Sequence, residues 1–334
     1  GYWSRGLGDV YKRQVFSISS SFASNAIDHA PIGVMGDHYH KTNERMISIR
    51  YSSMQMKGNS LHNNSISDQE IITSQVNPFA SMSGAPSYLS VVPQKMDMQM
   101  IMIGGMYAYS DNLTYMGMVM FMKNKMTSNT YKGGMDRAYL GNFQTSLDDL
   151  SNFSFSGLYK LVEKNDNRWH LELGIDKSIG KNNNQGFMLT PMNIYMKMTM
   201  PYPMQMDEST RLITALTNSK NFDGLVFGSQ IKKYSVIKKE DWSFGDKLEI
   251  SSWLQKSFDD SLSYSIRLLF TKEQNLSGSS SEIKSPVQSA NPLNYGGSEL
   301  EFGLGVNKIF KFFQKEHIRP VSYTHLRAHE TNSH

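Results

Sequence analysis

Hydrophobic and polar positions alternate with a period of two along most of the chain. The alternation is sharpest at 95–103 and 115–122, where Met falls on every second residue four times running. A helix would scatter such positions around its circumference, whereas a β-strand collects them on one face. Between the two stretches, Ser110-Asp111-Asn112 has the composition of a tight turn. The segment 95–123 therefore reads as a β-hairpin with a methionine stripe. Its other face carries Asp97, Gln99, Ile101, Ile103, Gly105, Tyr107 and Tyr109, then Leu113, Tyr115, Gly117, Val119 and Phe121. That face is apolar over most of its length and ends in aromatics beside the turn, as a lipid-facing surface with an interfacial girdle does. A strand buried between two sheets is also apolar on both faces, so the rest of the chain decides.

Further alternating segments lie at 44–56, 153–161, 169–176, 210–217, 222–234, 247–257, 261–272 and 298–310. In 169–176, Trp169, Leu171, Leu173 and Ile175 oppose His170, Glu172, Gly174 and Asp176. The connections alternate in length. Long ones are expected at 57–94, 124–152 (with Gly133-Gly134), 180–208 and 273–297, and a medium one at 235–246. Short turns are expected at 110–112, 164–167, 218–221 and 258–260. Long loops at one end and tight turns at the other are the signature of an outer-membrane barrel. The expectation is an all-β, antiparallel up-and-down transmembrane β-barrel of about 12 strands when complete. Ten strands and the start of an eleventh at His317-Ile318-Arg319 are legible. The chain should therefore be truncated by the last one or two strands, leaving an unpaired edge near 299–319 or 44–56.

Composition narrows the alternatives. No run approaches the ~18–20 apolar residues of a membrane helix, and a mean hydropathy of -0.45 fits alternating strands. The absence of Cys excludes disulfides and thiolate zinc sites. The net charge of +4 is dispersed, with no nucleic-acid footprint. No Ser-His-Asp order, phosphate-binding loop or HExxH helix supports an enzyme.

The ends differ in character from the middle. Residues 1–14 and 320–334 resemble translated sequencing-adaptor read-through, as found in metagenomic assemblies, and are set apart as non-native tails, so His325 and His329 are not counted as ligands. Residues 15–26 resemble the last part of a signal peptide, with a small-x-Ala end at Ser24-Asn25-Ala26. The barrel is assigned to 27–319, and the bacterial outer membrane is its expected location.

His29-Ala30-Pro31-Ile32-Gly33-Val34-Met35-Gly36-Asp37-His38-Tyr39-His40-Lys41, followed by Met46-Ile47-Ser48-Ile49-Arg50-Tyr51, resembles the opening of a family of bacterial outer-membrane transporters labelled MetA-pathway-of-phenol-degradation proteins. Val92-Pro93-Gln94-Lys95-Met96, 106–114 and Pro201-Tyr202-Pro203-Met204-Gln205 are similar to further segments of that family. The resemblance covers about 29–319. It implies a barrel related to fatty-acid and aromatic-hydrocarbon channels. The implied partners are outer-membrane lipid, the barrel-assembly machinery and a small, hydrophobic or aromatic substrate.

Applying the lipid-face rule to 44–56, 95–109 and 113–122 turns Arg50, Met54, Met56, Met98, Met100, Met102, Met118 and Met120 toward the lumen, joined by His170, Glu172, Asp176 and Arg267 from other strands. The methionines can fill the lumen as an apolar plug or line a greasy, adaptable path. A third use is as ligands for Cu(I) or Ag(I), which select soft sulfur. That alternative assigns Met96, Met98, Met100, Met116, Met118 and Met120, with His38 and His40 at the strand mouths, to a metal; His29 and His62 lie nearby. No other cofactor is expected. The polar set is expected to be a hydrated, charge-paired wall.

Overall fold

The computed structural model describes residues 12–21, 26–31, 33–61, 64–308, 310–312 and 316–330. Ten long strands follow one another in a continuous antiparallel, curled sheet: β2 (Arg45–Lys57), β3 (Val91–Ser110), β4 (Leu113–Tyr131), β5 (Tyr139–Lys164), β6 (Asn167–Ser178), β7 (Thr210–Phe222), β8 (Leu225–Lys238), β9 (Lys247–Asp259), β10 (Leu262–Glu273) and β11 (Gly297–Lys308). Each pairs with its neighbour in sequence, the up-and-down order expected. Two more strands, β1 (Lys12–Ser21) and β12 (Glu316–Glu330), complete the ring. β12 pairs with β11, and Phe310–Phe312 extends that ladder in the same register. β1 pairs with β12 from Arg13↔His325 to Ser21↔His317, and with β2 from Lys12↔Gln55 to Ser20↔Ile47.

The open edge expected near 299–319 or 44–56 is therefore absent. It is filled by backbone from segments set apart as tail and signal remnant. A sheet edge presents unpaired N–H and C=O groups that any extended chain can bond. Residues 1–11, 22–25, 62–63 and 331–334, which include His62 and the Ser24-Asn25 end, lie outside the described residues.

The other corrections have separate causes. Residues 124–152 are not a long loop. β4 runs on to Tyr131 and β5 begins at Tyr139, leaving only 132–138 as connection. Along these extensions the apolar residues Met126, Phe143 and Leu147 are buried, while Lys123, Lys125, Gln144, Ser146 and Asp148 are exposed. Beyond the aliphatic belt the outer face of these strands is polar, so apolar-out gives way to polar-out and the segment reads as loop. In 57–94, a helix α1 (Asp68–Ser74) starts at a capping box in which Ser67 and Glu70 exchange hydrogen bonds. Its Ile71 and Ile72 pack on Leu89 and Val92. The turn expected at 218–221 falls instead at Asp223-Gly224, both with positive φ (53° and 83°), the geometry of a two-residue hairpin. The turn at Asn165-Asp166 has the same handedness, with φ of 51° and 58°.

Alternation places small and charged side chains inside and aliphatic ones outside. Ile49, Ile103, Phe155, Leu173, Ile175 and Ile266 are each about half exposed, whereas their strand neighbours Ser48, Met102, Ser154, Glu172, Asp176 and Arg267 are buried. The long connections at the far end from the tight turns fold together. Tyr202, Trp242, Phe244 and Tyr295 meet edge to face, with Tyr202 and Trp242 centroids 4.8 Å apart. The Tyr202 hydroxyl accepts from Ser280 N at 3.0 Å.

Candidate functional site

The methionine stripe is in register across three strands. Reading from the loop end toward the turns, the Cα partners are Met56↔Met96↔Met126, Met54↔Met98, Met100↔Met122, Met102↔Met120 and Met46↔Met106↔Met116. Met46, Met96, Met102, Met106, Met116 and Met126 are buried; Met54, Met56, Met98, Met100, Met118 and Met120 are half-buried on the same face. Near the loop end this face bounds a cavity of about 300 Å³ whose lining includes Met54, Met56, Met96, Met98, Met122 and Met126. Phe244 and Tyr295 of the aromatic cluster and Met206 of the 180–208 connection also line it.

Met200, Met204 and Met206 pack against Met96 and Met126, with Met56, Met98 and Met122 alongside. In sequence, 180–208 reads only as a long connection, and nothing there brings it to this wall. No local pattern announces a contact between a loop and a strand 80 residues away. Met126 was detectable, since it continues the every-second-residue rhythm past Asn124.

The polar wall runs along the barrel, with His170 toward the turn end and Asp176 and Arg211 toward the loop end. Glu172 forms a buried ion pair with Lys232 at 2.8 Å and accepts from Ser156 at 2.9 Å. Asp176 accepts from Asn152 at 2.8 Å and faces Arg211, which also pairs with Asp207. Arg267 donates through Nε to Ser251 at 2.8 Å. His170, Glu172, Asp176 and Arg267 are thus wall residues with partners. Lys232 and Arg211 were missed because their strands alternate weakly in sequence.

Residues 26–31 and 33–40 lie inside the barrel at the turn end, and the exposed Lys41, Thr42 and Asn43 lead out to β2. Ala26 O accepts from Gln255 (2.9 Å) and Ser263 (3.0 Å), and Gly36 O accepts from His170 Nε2 (2.8 Å). Gln230 donates to Met35 O at 3.0 Å, and His40 N donates to Thr114 at 3.0 Å. Arg50, expected in the lumen, bonds the Met35 sulfur and so holds this plug. Gly36 sits at φ 66°, and a Cβ there would come within 2.7 Å of Glu172 Oε2. A glycine is needed at this turn on both counts.

His38 and His40 stand together on the plug, their Nε2 atoms 3.2 Å apart. They do not join the methionines assigned with them. His40 bonds Thr114 beside the tight turn, whereas Met96 lies ten residues up β3 from Met106, roughly 33 Å at about 3.3 Å per residue. Met116, near Gly36, is the one member of that set close to the plug.

No protein-family model matches the chain, and no curated protein matches it. Among solved structures it is similar to an outer membrane channel from Pseudomonas putida F1 (11% identity, 98% of each chain, TM-score 0.41). It is also similar to a FadL homologue from Pseudomonas aeruginosa (10% identity, 95% of this chain and 90% of that one, TM-score 0.41). A third is the toluene transporter TodX of Pseudomonas putida (9% identity, 96% and 89%, TM-score 0.35). The phenol-degradation family remains a resemblance of sequence segments.

Proposed function

We propose that this protein is an outer-membrane channel for small hydrophobic or aromatic compounds, held in lipid by its aliphatic outer belt. The observation that carries the reading is the cavity of about 300 Å³ with its thioether and aromatic lining. That volume is at the small end of ligand pockets, near ~300 Å³, and suits a compound of one or two rings. Sulfur–aromatic contacts of about 0.3–1.5 kcal/mol each, on flexible side chains, favour such a guest without fixing its shape. Of the three charged residues in the lining, Arg211 and Asp207 pair with each other and Glu273 is the third. Fluorescence titration of naphthalene into barrel-bearing nanodiscs tests this. Saturable binding above the empty-nanodisc baseline is expected, weakened at least tenfold by Met96→Gln with Met98→Gln. Non-saturable partitioning alone would refute it.

A second reading, soft-metal handling, is favoured by one observation: eight methionines pack together beside the cavity, three from the 180–208 connection and five from the wall. Thioethers select Cu(I). Cu(I) titration under reducing conditions separates the two, since no saturable binding, or binding unaltered when Met96, Met98 and Met100 become Leu, removes the metal.

A further inference from the structure

We propose that His29, Asp37 and His38, on the plug, form a binding site for a borderline transition-metal ion, Zn²⁺ in the first place, and that the ion fastens the plug inside the barrel. Their ligand atoms lie within 4.8 Å of one another. His29 Nδ1 and His38 Nδ1 are 3.2 Å apart, and His38 Nδ1 is 3.0 Å from Asp37 Oδ1. Metal–nitrogen bonds of about 2.0–2.1 Å in a tetrahedron put neighbouring ligand atoms roughly 3.3 Å apart. Two of the three separations are therefore close to the edges of a coordination tetrahedron.

The protonation chemistry points the same way. The imidazole Nδ1 of His38 has one in-plane position, which holds either a proton or a lone pair. His38 Nδ1 has both His29 Nδ1 and Asp37 Oδ1 within hydrogen-bonding distance, and a cation there would be within reach of all three. The rings of His29 and His38 stand at 82° with centroids 4.0 Å apart, edge to face and not stacked. Two imidazoles and a carboxylate suit Zn²⁺ and exclude a preference for Ca²⁺ or Mg²⁺, which want oxygen. A cavity of about 80 Å³ lies beside Asp37 and His38, lined also by Tyr39, Asp166, Arg168 and His170. It leaves a solvent position for a fourth ligand.

The second shell is already in place. Asp37 Oδ2 accepts from Ala30 N at 2.7 Å, closing the 30–37 loop, and Gly36 O is held by His170. Outer-shell bonds of this kind fix the orientation of metal ligands. An ion bound to residues 29, 37 and 38 would staple both ends of this loop, whose carbonyls take hydrogen bonds from β6 and β8. The site itself stands whatever the barrel conducts; its effect on conductance rests on the channel reading.

Co²⁺ titration of the refolded full chain, followed by visible ligand-field absorption, tests the site. One equivalent is expected to give the intense tetrahedral band, displaced by Zn²⁺. The band should be lost in His29→Ala and in His38→Ala and kept in Met96→Leu with Met98→Leu. Circular dichroism and heat-modified gel mobility report whether each variant has folded, and His29→Gln replaces any that has not. No saturable band, or a band that survives both histidine substitutions in folded protein, overturns the site. In planar bilayers, Zn²⁺ should lower the conductance of the wild type and leave that of His29→Ala unchanged. A saturated site with unaltered conductance in an otherwise conducting barrel overturns the fastening role alone.

Discussion

Glu172 and Lys232 meet at 2.8 Å across β7, each buried to within a few per cent. Both are Cα partners of Ala215, from opposite sides, and that small side chain leaves the room in which they meet. Removing one member of a buried pair leaves an uncompensated charge, a loss of about 3–5 kcal/mol. Lys232→Met is expected to destabilise the barrel by about that amount in urea titrations from lipid vesicles. Lys232→Met with Glu172→Leu should recover most of the loss. Equal destabilisation in the single and double variants would show that the pair is not what Lys232 contributes.

The outer belt gives a depth-resolved expectation. Ile103 lies between Ile49 and Val119 on the outward face of β3, midway between the turn aromatics and the polar extensions. Ile103→Lys should cost about 2–4 kcal/mol, the range for a cation at the bilayer midplane. Ser146→Lys, on the exposed extension of β5, should be near neutral. Comparable effects at both positions in vesicle unfolding would mean that the membrane boundary is misplaced.

Gly36→Ala introduces a Cβ 2.7 Å from Glu172 Oε2 at a positive φ. The plug has to give way because the wall beside it is held by the ion pair. Conductance in planar bilayers is expected to rise while circular dichroism remains that of the wild type. Unchanged conductance would place the resistance to flow elsewhere.

The Asp223-Gly224 hairpin makes a local test. Gly224→Ala is expected to cost about 1–2 kcal/mol, because the left-handed region is unfavourable for a residue with a Cβ. Ser219→Ala, inside the ladder where a turn had been expected, should cost far less. The reverse order would restore the earlier turn.

Much of the wall was legible because period-two alternation is a local signal. Met96, Met98, Met116 and Glu172 could be assigned a face from their neighbours alone. The largest misread segment, 124–152, is one where the outer face changes character. Gln144, Ser146 and Asp148 are exposed beyond the aliphatic belt, and they hid the buried Phe143 and Leu147. The closure through 12–21 and 316–330 was not legible either, since backbone pairing at an edge demands little of side-chain type. Long-range partners left no trace at all. Nothing in 200–206 says that Met200, Met204 and Met206 meet Met96, and nothing in 26–44 says that Gly36 O lies against His170. His29 and His38 did stand out as chemistry, but Asp37 did not, and nothing local says that a hydrogen bond from Ala30 N to Asp37 closes the loop that joins the three.

The central claim is that the methionine-lined cavity passes small apolar molecules. Its most direct measurement is the initial rate of toluene uptake by cells whose own hydrocarbon channels have been deleted, with and without this barrel in the outer membrane. The account expects the rate to rise when the barrel is present and to fall back to the empty-cell value in Met98→Arg with Met122→Arg, at equal amounts of folded protein. Uptake that is the same with and without the barrel, or that is untouched by those substitutions, would contradict it.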